Sequence, residues 1–168
     1  MNKPRSIVDS DPKAPVAANA RAILAARTAE LFSHDAAFTD PNAVAALHQA
    51  RIAAKRLRYT LELFPAIFGD DGTAALADVR ALQDALGIVH DRDVMIAAIH
   101  TRLGELISER GPETDAVRAS LESILTRVRT DREARHRDAA ARWRVLSHGK
   151  FRDRLTHLAG TSFLADDG

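Results

Sequence analysis

The sequence predicts an all-α protein, an antiparallel bundle of about five helices. Apolar residues recur at helical spacing over long stretches, and short segments rich in Gly, Pro or Asp separate these stretches. Hydrophobic residues make up 46% of the chain, much of it alanine with few aromatics, which is typical of closely packed helices. A length of 168 residues is enough for one domain with a buried core. Short connections favour antiparallel neighbours.

The composition also predicts where the domain begins and ends. Residues 1–13 are polar with two prolines and are expected to form a disordered tail, residues 14–158 the bundle, and residues 159–168 a frayed tail. The first residues lack the apolar segment of a signal peptide, and no apolar run approaches the ~18 residues of a membrane span. The absence of cysteine suits a reducing compartment. We therefore expect a cytoplasmic protein that does not enter a membrane.

Helices one and two have clear signals. Apolar residues at helical spacing predict helix one from about Pro15 to Phe32. Asp40-Pro41 has the pattern of an N-cap followed by proline at the first helical position, so helix two is expected to begin there. Pro65 lacks a backbone donor, which predicts a stop or kink near Leu63.

The remaining helices are separated by glycine and aspartate. Residues 69–72, Gly-Asp-Asp-Gly, predict a turn, after which helix three is expected over 73–89 with Gly87 weakening its last turn. Asp91 or Asp93 could cap helix four, which would end at Gly111-Pro112. Helix five would run from Pro112 to about Leu146. Its apolar positions are Val117, Leu121, Ile124, Leu125 and Val128.

Helix two carries a line of cations that we call the basic row, consisting of His48, Arg51, Lys55 and Arg58. At about 100° per residue these four residues fall within roughly 80° of one another, about one turn apart, beside the apolar stripe. Like charges at this spacing repel by a few tenths of a kcal/mol per pair. The row is therefore either a solvated surface or a site that a polyanion neutralises, and its position beside the apolar stripe favours the second interpretation.

Further arginines extend the candidate site. Arg56 lies about 80° from His48 and projects to a different side of helix two. The apolar stripe of helix five continues onto Arg132 and Arg135, so these arginines either overhang the core or line a cavity beside it. Residues 127–154 contain ten Lys or Arg against four Asp or Glu, although the whole chain has a net charge of only +1. Charge segregation of this kind favours a polyanionic partner.

Two segments give the chain a family resemblance. Residues 47–64, LHQARIAAKRLRYTLELF, and residues 82–94, LQDALGIVHDRDV, resemble the signature of CHAD domains, the conserved-histidine α-helical domains. The resemblance covers most of residues 16–151 and ends near ARWRVL, 141–146. The family has two such repeats that face each other across a basic pocket, whereas this chain has one copy of the His-x-x-Arg motif and resembles half of the usual domain.

The resemblance implies binding of inorganic polyphosphate without catalysis, with no cofactor and no metal. The polyphosphate-binding residues would be those of the basic row, with contributions from the remaining arginines: His48, Arg51, Lys55, Arg56, Arg58, Arg132 and Arg135. It also implies a CYTH-type triphosphate-hydrolysing protein as a partner. Because one repeat supplies one wall of the pocket, a homodimer that brings two basic rows together is expected.

Three alternatives stay open from the sequence. His34-Asp35 and His90-Asp91 could contribute to a metal-dependent phosphohydrolase, although such pairs arise easily by chance. Nucleic acid could bind weakly through the basic helix, although the one Tyr and one Trp give no stacking platform. A helical module that pairs with another protein through an apolar face is the third alternative.

Overall fold

The computed structural model describes residues 12–107, 109 and 111–160 as five α-helices, without a strand among them. The helices are α1 (Val16–Phe32), α2 (Val44–Leu63), α3 (Pro65–Glu105), α4 (Pro112–Ser147) and α5 (Lys150–Ala159), with a short 3-10 helix (Asp35–Phe38) after α1. This confirms the predicted all-α bundle of about five helices. No helix in the described ranges is both long and apolar enough to span a membrane.

Consecutive long helices run antiparallel. The His48 ring of α2 lies 4.8 Å from the His90 ring of α3, and Glu62 near the end of α2 accepts a hydrogen bond from Arg80. The contacts between α3 and α4 show the same antiparallel order, since residues near the end of α3 meet residues near the start of α4. The shortest helix, α5, packs along α1, where Arg21 donates to the backbone carbonyl of Leu158.

One hydrophobic core joins α1, α2, α5 and the facing parts of α3 and α4. Its fully buried side chains include Leu24, Leu57, Leu82, Leu86 and Leu155. The predicted apolar stripe of α2 is buried, and its alanines, at positions 50, 53 and 54, let the neighbouring helices approach closely. At one end of the core Trp143 stacks on Phe38 with the ring centroids 4.8 Å apart.

The predicted start of helix two is wrong by three residues. Helix α2 begins at Val44, and the Asp40 carboxylate accepts a hydrogen bond from the backbone N–H of Asn42 at 2.8 Å. Asp40 therefore forms a local turn before the helix and does not cap it, because its side chain satisfies a backbone donor in the turn itself.

The proline and glycine signals between α2 and α3 have different outcomes. Helix α2 ends at Leu63, as predicted, and Pro65 occupies the first position of α3. The predicted turn over 69–72 is only a break at Gly69, whose φ of 55° and ψ of −145° interrupt the helix. Only glycine adopts this combination at little cost, so the chain bends at one residue and then continues as a helix.

The predicted boundary between helices three and four is absent. Helix α3 continues through Gly87, Asp91 and Asp93 to Glu105. Asp93 forms an ion pair with Arg132 of α4 and is not a helix cap. The tertiary contact outweighs the local tendency of Asp to cap a helix and of Gly to weaken one.

The predicted last long helix is confirmed as α4, whereas α5 has no counterpart among the predicted elements. Helix α5 ends at Ala159 and is capped by Gly160, whose φ of 66° is in the left-handed region. Of the predicted tails, residues 1–11 and 161–168 lie outside the described residues.

Candidate functional site

The basic row lies along the seam between α2 and α3. His48, Arg51 and Arg58 are half-buried and Lys55 is exposed. Helix α3 passes beside them because the apolar faces of the two helices pack together, and their antiparallel course brings His90 next to His48. The structure therefore brings the four predicted residues of the row together on one face of the bundle.

Three residues of α3 complete the surroundings of the row: Gln83, Gly87 and His90. A Cβ atom at Gly87 would lie 4.0 Å from the Nε of Arg51, which places this glycine directly beside that guanidinium. The sequence did not predict a part for these residues in polyphosphate binding. Their i, i+4, i+7 spacing, which places them on one helix face, is the signal that could have found them.

Two members of the row lack acidic partners. Within the part of the chain that the structure describes, neither Arg51 nor Lys55 forms an ion pair with a carboxylate. Lys55 instead lies with its Nζ 5.7 Å from the centroid of the Tyr59 ring, and Arg58 lies over the same ring at 4.8 Å. Cation–π contacts of this kind orient a cation without neutralising it.

Arg58 shares its ion-pair partner with Arg80 of α3. Its Nε is 3.7 Å from Glu62, and the same carboxylate accepts a 2.8 Å hydrogen bond from Arg80 on α3. One carboxylate therefore faces two guanidinium groups. The local charge remains positive at this end of the row.

Three residues of the row also contain buried nitrogens without hydrogen-bond partners in the structure: Nδ1 of His48, Nε of Arg51 and Nε of Arg58. The Oε1 of Gln83, one turn before Gly87 on the same face of α3, is unpaired as well. A buried polar atom without a partner costs about 1–3 kcal/mol, so a cluster of them needs an explanation. Retaining cations here at a cost in stability is consistent with a binding role.

Arg56 lies apart from the row. Its guanidinium forms an ion pair with Glu30 of α1, and the other oxygen of that carboxylate accepts a 2.9 Å hydrogen bond from Arg27. The prediction that Arg56 projects to a different side of α2 is confirmed. Its contact with Glu30 links α1 to α2.

Arg132 and Arg135 lie on α4 and both have acidic partners. Arg132 is buried, donates to Asp93 at 2.8 Å and also donates to the backbone carbonyl of Pro41. Arg135 lies 3.2 Å from Asp131, which also accepts a 2.6 Å hydrogen bond from Arg92. Arg92 is the main reason that the pKa of Asp131 falls below its usual value. In the described structure the hydrogen bonds and ion pairs of these two arginines are with Asp93, Pro41, Asp131 and Asp138, and none is with a residue of the basic row.

Arg132 instead lines a groove of about 1080 Å³ between α4, α3 and the 3-10 helix. Asp35 in this groove accepts a 2.6 Å hydrogen bond from the indole N–H of Trp143. His136 is buried in the groove wall, and burial together with the nearby Arg132 lowers the pKa of its imidazole. The sequence left open whether the arginines of this helix overhang the core or line a cavity beside it. Arg132 lines the groove, whereas Arg135 is exposed.

The histidine–aspartate pairs do not assemble into a metal site in the described ranges, where no group of three potential His, Asp or Glu ligands occurs. His90 packs against His48, Asp91 is exposed, and Asp35 is bonded to Trp143. The metal-dependent alternative therefore has no geometric support among these residues.

Comparison with protein families gives one match, in which the model of the CHAD domain covers residues 2–100. The chain belongs to the CHAD domain family. The matched segment is more than half of the chain and is consistent with a single CHAD repeat. Searches of curated proteins and of solved structures found no match.

The CHAD match places the candidate site within the family's own segment. It contains α1, α2, most of α3 and therefore the whole basic row with Gln83, Gly87 and His90. It ends before α4, so Arg132, Arg135 and the ARWRVL segment lie beyond it, although the resemblance was expected to extend to 151. The row is thus a feature of the CHAD segment, and the α4 arginines belong to the part that follows.

Proposed function

We propose that this CHAD protein binds inorganic polyphosphate, without turning it over, through the basic row of α2. The observation that carries the proposal is the state of Arg51 and Lys55, which stand one turn apart on the seam between α2 and α3 and form no ion pair in the described structure. Cations without protein carboxylates are available to an external anion. The association of the CHAD family with polyphosphate supports the choice of ligand.

The chemistry of the row suits a chain of phosphates. A guanidinium presents two parallel donors to phosphate oxygens, and the Lys55 ammonium acts as a point charge. Successive Cβ atoms of the row are about 5–6 Å apart, so one flexible chain can contact each charged head in turn. His48 adds a ring N–H that can donate a hydrogen bond to a phosphate oxygen.

The proposal extends to the oligomeric state of the protein and to a protein partner. A homodimer would supply two rows, which compensates for the single CHAD repeat. A CYTH-type triphosphate-hydrolysing protein is the proposed enzymatic partner, and this chain itself would contribute binding and not catalysis. Metal-dependent hydrolysis is the alternative that observed turnover of polyphosphate would support.

A competition between two polyanions tests the proposal. Long-chain polyphosphate and duplex DNA are titrated at equal phosphate concentration and physiological salt. We expect polyphosphate to bind at least about tenfold more tightly, a difference of about 1.4 kcal/mol, because a narrow flexible chain can follow the seam and a duplex cannot. Equal, weak and salt-sensitive binding of both would mean that the positive charge attracts any polyanion and would overturn the proposal.

A further inference from the structure

The distal parts of α3 and α4 form a two-helix arm, which we define as residues 91–107 and 111–131. It lies outside the main hydrophobic core, whose members on α3 end at Val89 and on α4 begin at Ala139. Among the described residues of the arm only Ile99, Leu106 and Leu125 are buried. Two helices that share so few buried side chains leave much of their apolar surface in contact with water.

Apolar residues form a regular pattern on this part of α4, which we call the arm seam: Val117, Leu121, Ile124 and Val128. The spacing of four, three and four residues is that of a coiled-coil heptad. Leu125 is buried, whereas Val117 and Ile124 are 44% and 38% exposed. Met95 on α3, 44% exposed, extends the apolar surface across the arm. The seam therefore has the periodicity of a helix interface, with Val117 and Ile124 exposed and Leu121 and Val128 half-buried.

The charges at the two ends of the seam are opposite. Glu113 lies in the first turn of α4, and Arg135 lies at the other end, each eleven residues from Ile124. Arg135 lies 3.2 Å from Asp131, which also contacts Arg92, and 3.9 Å from the exposed Asp138. Two arms packed antiparallel about an axis near Ile124 would place each Glu113 opposite the Arg135 of the other copy, whereas parallel arms would place like charges together.

The size of the arm is adequate for such an interface. About 20 residues at 1.5 Å per residue give a length of about 30 Å, and two helices of about 10 Å give a width of about 20 Å. The face is therefore roughly 600 Å² in projection. A stable interface of standard size buries about 800 Å² of accessible surface on each partner, and a corrugated face has more accessible surface than its projection.

We infer that the arm seam is the interface of an antiparallel homodimer of this chain. The inference rests on the homodimer in the proposed function, adds the surface and the orientation, and replaces the shared pocket expected from the single repeat with two separate rows. The basic row packs against α3 at Gln83–His90, before the arm begins, so the two rows would lie at opposite ends of the paired arms. They would not face each other across one pocket, and a long polyphosphate chain would join them by bridging, which raises affinity through avidity.

The oligomeric state without polyphosphate tests the inference independently of ligand binding. Light scattering of the eluting protein should give twice the 18.3 kDa of one chain. Val117→Asp with Ile124→Asp should give a monomer with unchanged helical circular dichroism. Val145→Asp, at a 74% exposed valine of the same helix away from the seam, should leave the dimer intact. A monomeric wild type, or a seam variant that stays dimeric, would overturn the inference.

A crosslinking experiment gives the orientation and does not depend on a destabilising substitution. The chain contains no cysteine, so Ile124→Cys introduces a single thiol beside the proposed axis and Val145→Cys a single control thiol. A short bis-maleimide should couple two copies of Ile124→Cys and leave Val145→Cys uncoupled. Equal coupling of both variants, or none in either, would contradict the antiparallel seam.

Discussion

Arg51 and Lys55 of α2 and the arginines Arg132 and Arg135 of α4 have opposite surroundings in the same bundle. Arg51 and Lys55 of the basic row form no ion pair with any described carboxylate, whereas Arg132 and Arg135 of α4 contact Asp93 and Asp131. The difference separates two uses of the same residue type. A cation paired with a buried carboxylate holds helices together, and a cation left without one is available for a ligand.

Local sequence distinguishes these two uses only in part. Both groups fall beside an apolar stripe at helical spacing, and only on α4 are acids close in sequence, where Asp131 pairs with Arg135 within the same helix. For Arg132 the carboxylate comes from another helix: Asp93 on α3 reaches Arg132, while α3 presents Gly87 and His90 to the row. Three predictions test this distinction, beginning with the largest expected effect.

Arg132→Ala should destabilise the fold by about 3–5 kcal/mol, because it leaves the largely buried Asp93 carboxylate without its partner. Arg51→Ala should change the free energy of unfolding by no more than about 1 kcal/mol, since no ion pair is lost. Urea denaturation followed by circular dichroism measures both. Equal losses in the two variants would remove the distinction between paired and available cations.

Gly87→Glu should weaken polyphosphate binding by roughly tenfold, about 1.4 kcal/mol, because it places a carboxylate beside Arg51 on the seam. Gly87→Ala is the matched control. Its Cβ would meet the Arg51 Nε at an ordinary contact distance of 4.0 Å, and affinity should be unchanged. Titration of both variants with long-chain polyphosphate provides the measurement. Loss of affinity in Gly87→Ala as well would point to packing and not to charge.

Stability should fall modestly as the pH is lowered from about 7.5 to about 5.5, and His136 on the α4 side should be one cause. Burial keeps the pKa of this imidazole below its usual value of 6.5, so the unfolded chain takes up a proton that the folded chain does not. The free energy of unfolding therefore rises with pH between the folded-state pKa and 6.5. His136→Gln should flatten this dependence in thermal melts, and an unchanged slope would exclude His136 as its source.

The sequence was most informative where structure depends on local periodicity. The apolar stripe of α2, the helix end at Leu63 and the common face of the basic row all follow from about 100° per residue and from Pro65. The capping expectations failed because Asp40 bonds within its own turn and Asp93 bonds to Arg132. Ion pairs between helices distant in sequence depend on packing register, which a single sequence does not contain.

The candidate site was likewise predictable only where it depends on a single helix. The four residues of the row could be found by arithmetic on one helix, but the residues of α3 beside them required knowledge of how α2 and α3 pack. The pairing of Arg56 with Glu30 likewise joins two helices. The resemblance to CHAD domains supplied the ligand class, and the positions of the cations alone would have left it open.

The most direct test of the basic row compares two double variants that remove equal charge. Arg51→Ala with Lys55→Ala deletes two cations of the row, and Arg127→Ala with Arg142→Ala deletes two exposed arginines of α4. Titration with long-chain polyphosphate over a range of salt concentrations should show a loss of more than about tenfold only in the first, with the salt dependence reduced by roughly 0.7 per lost contact. Equal losses in both variants, with helical circular dichroism intact, would contradict a site at the basic row.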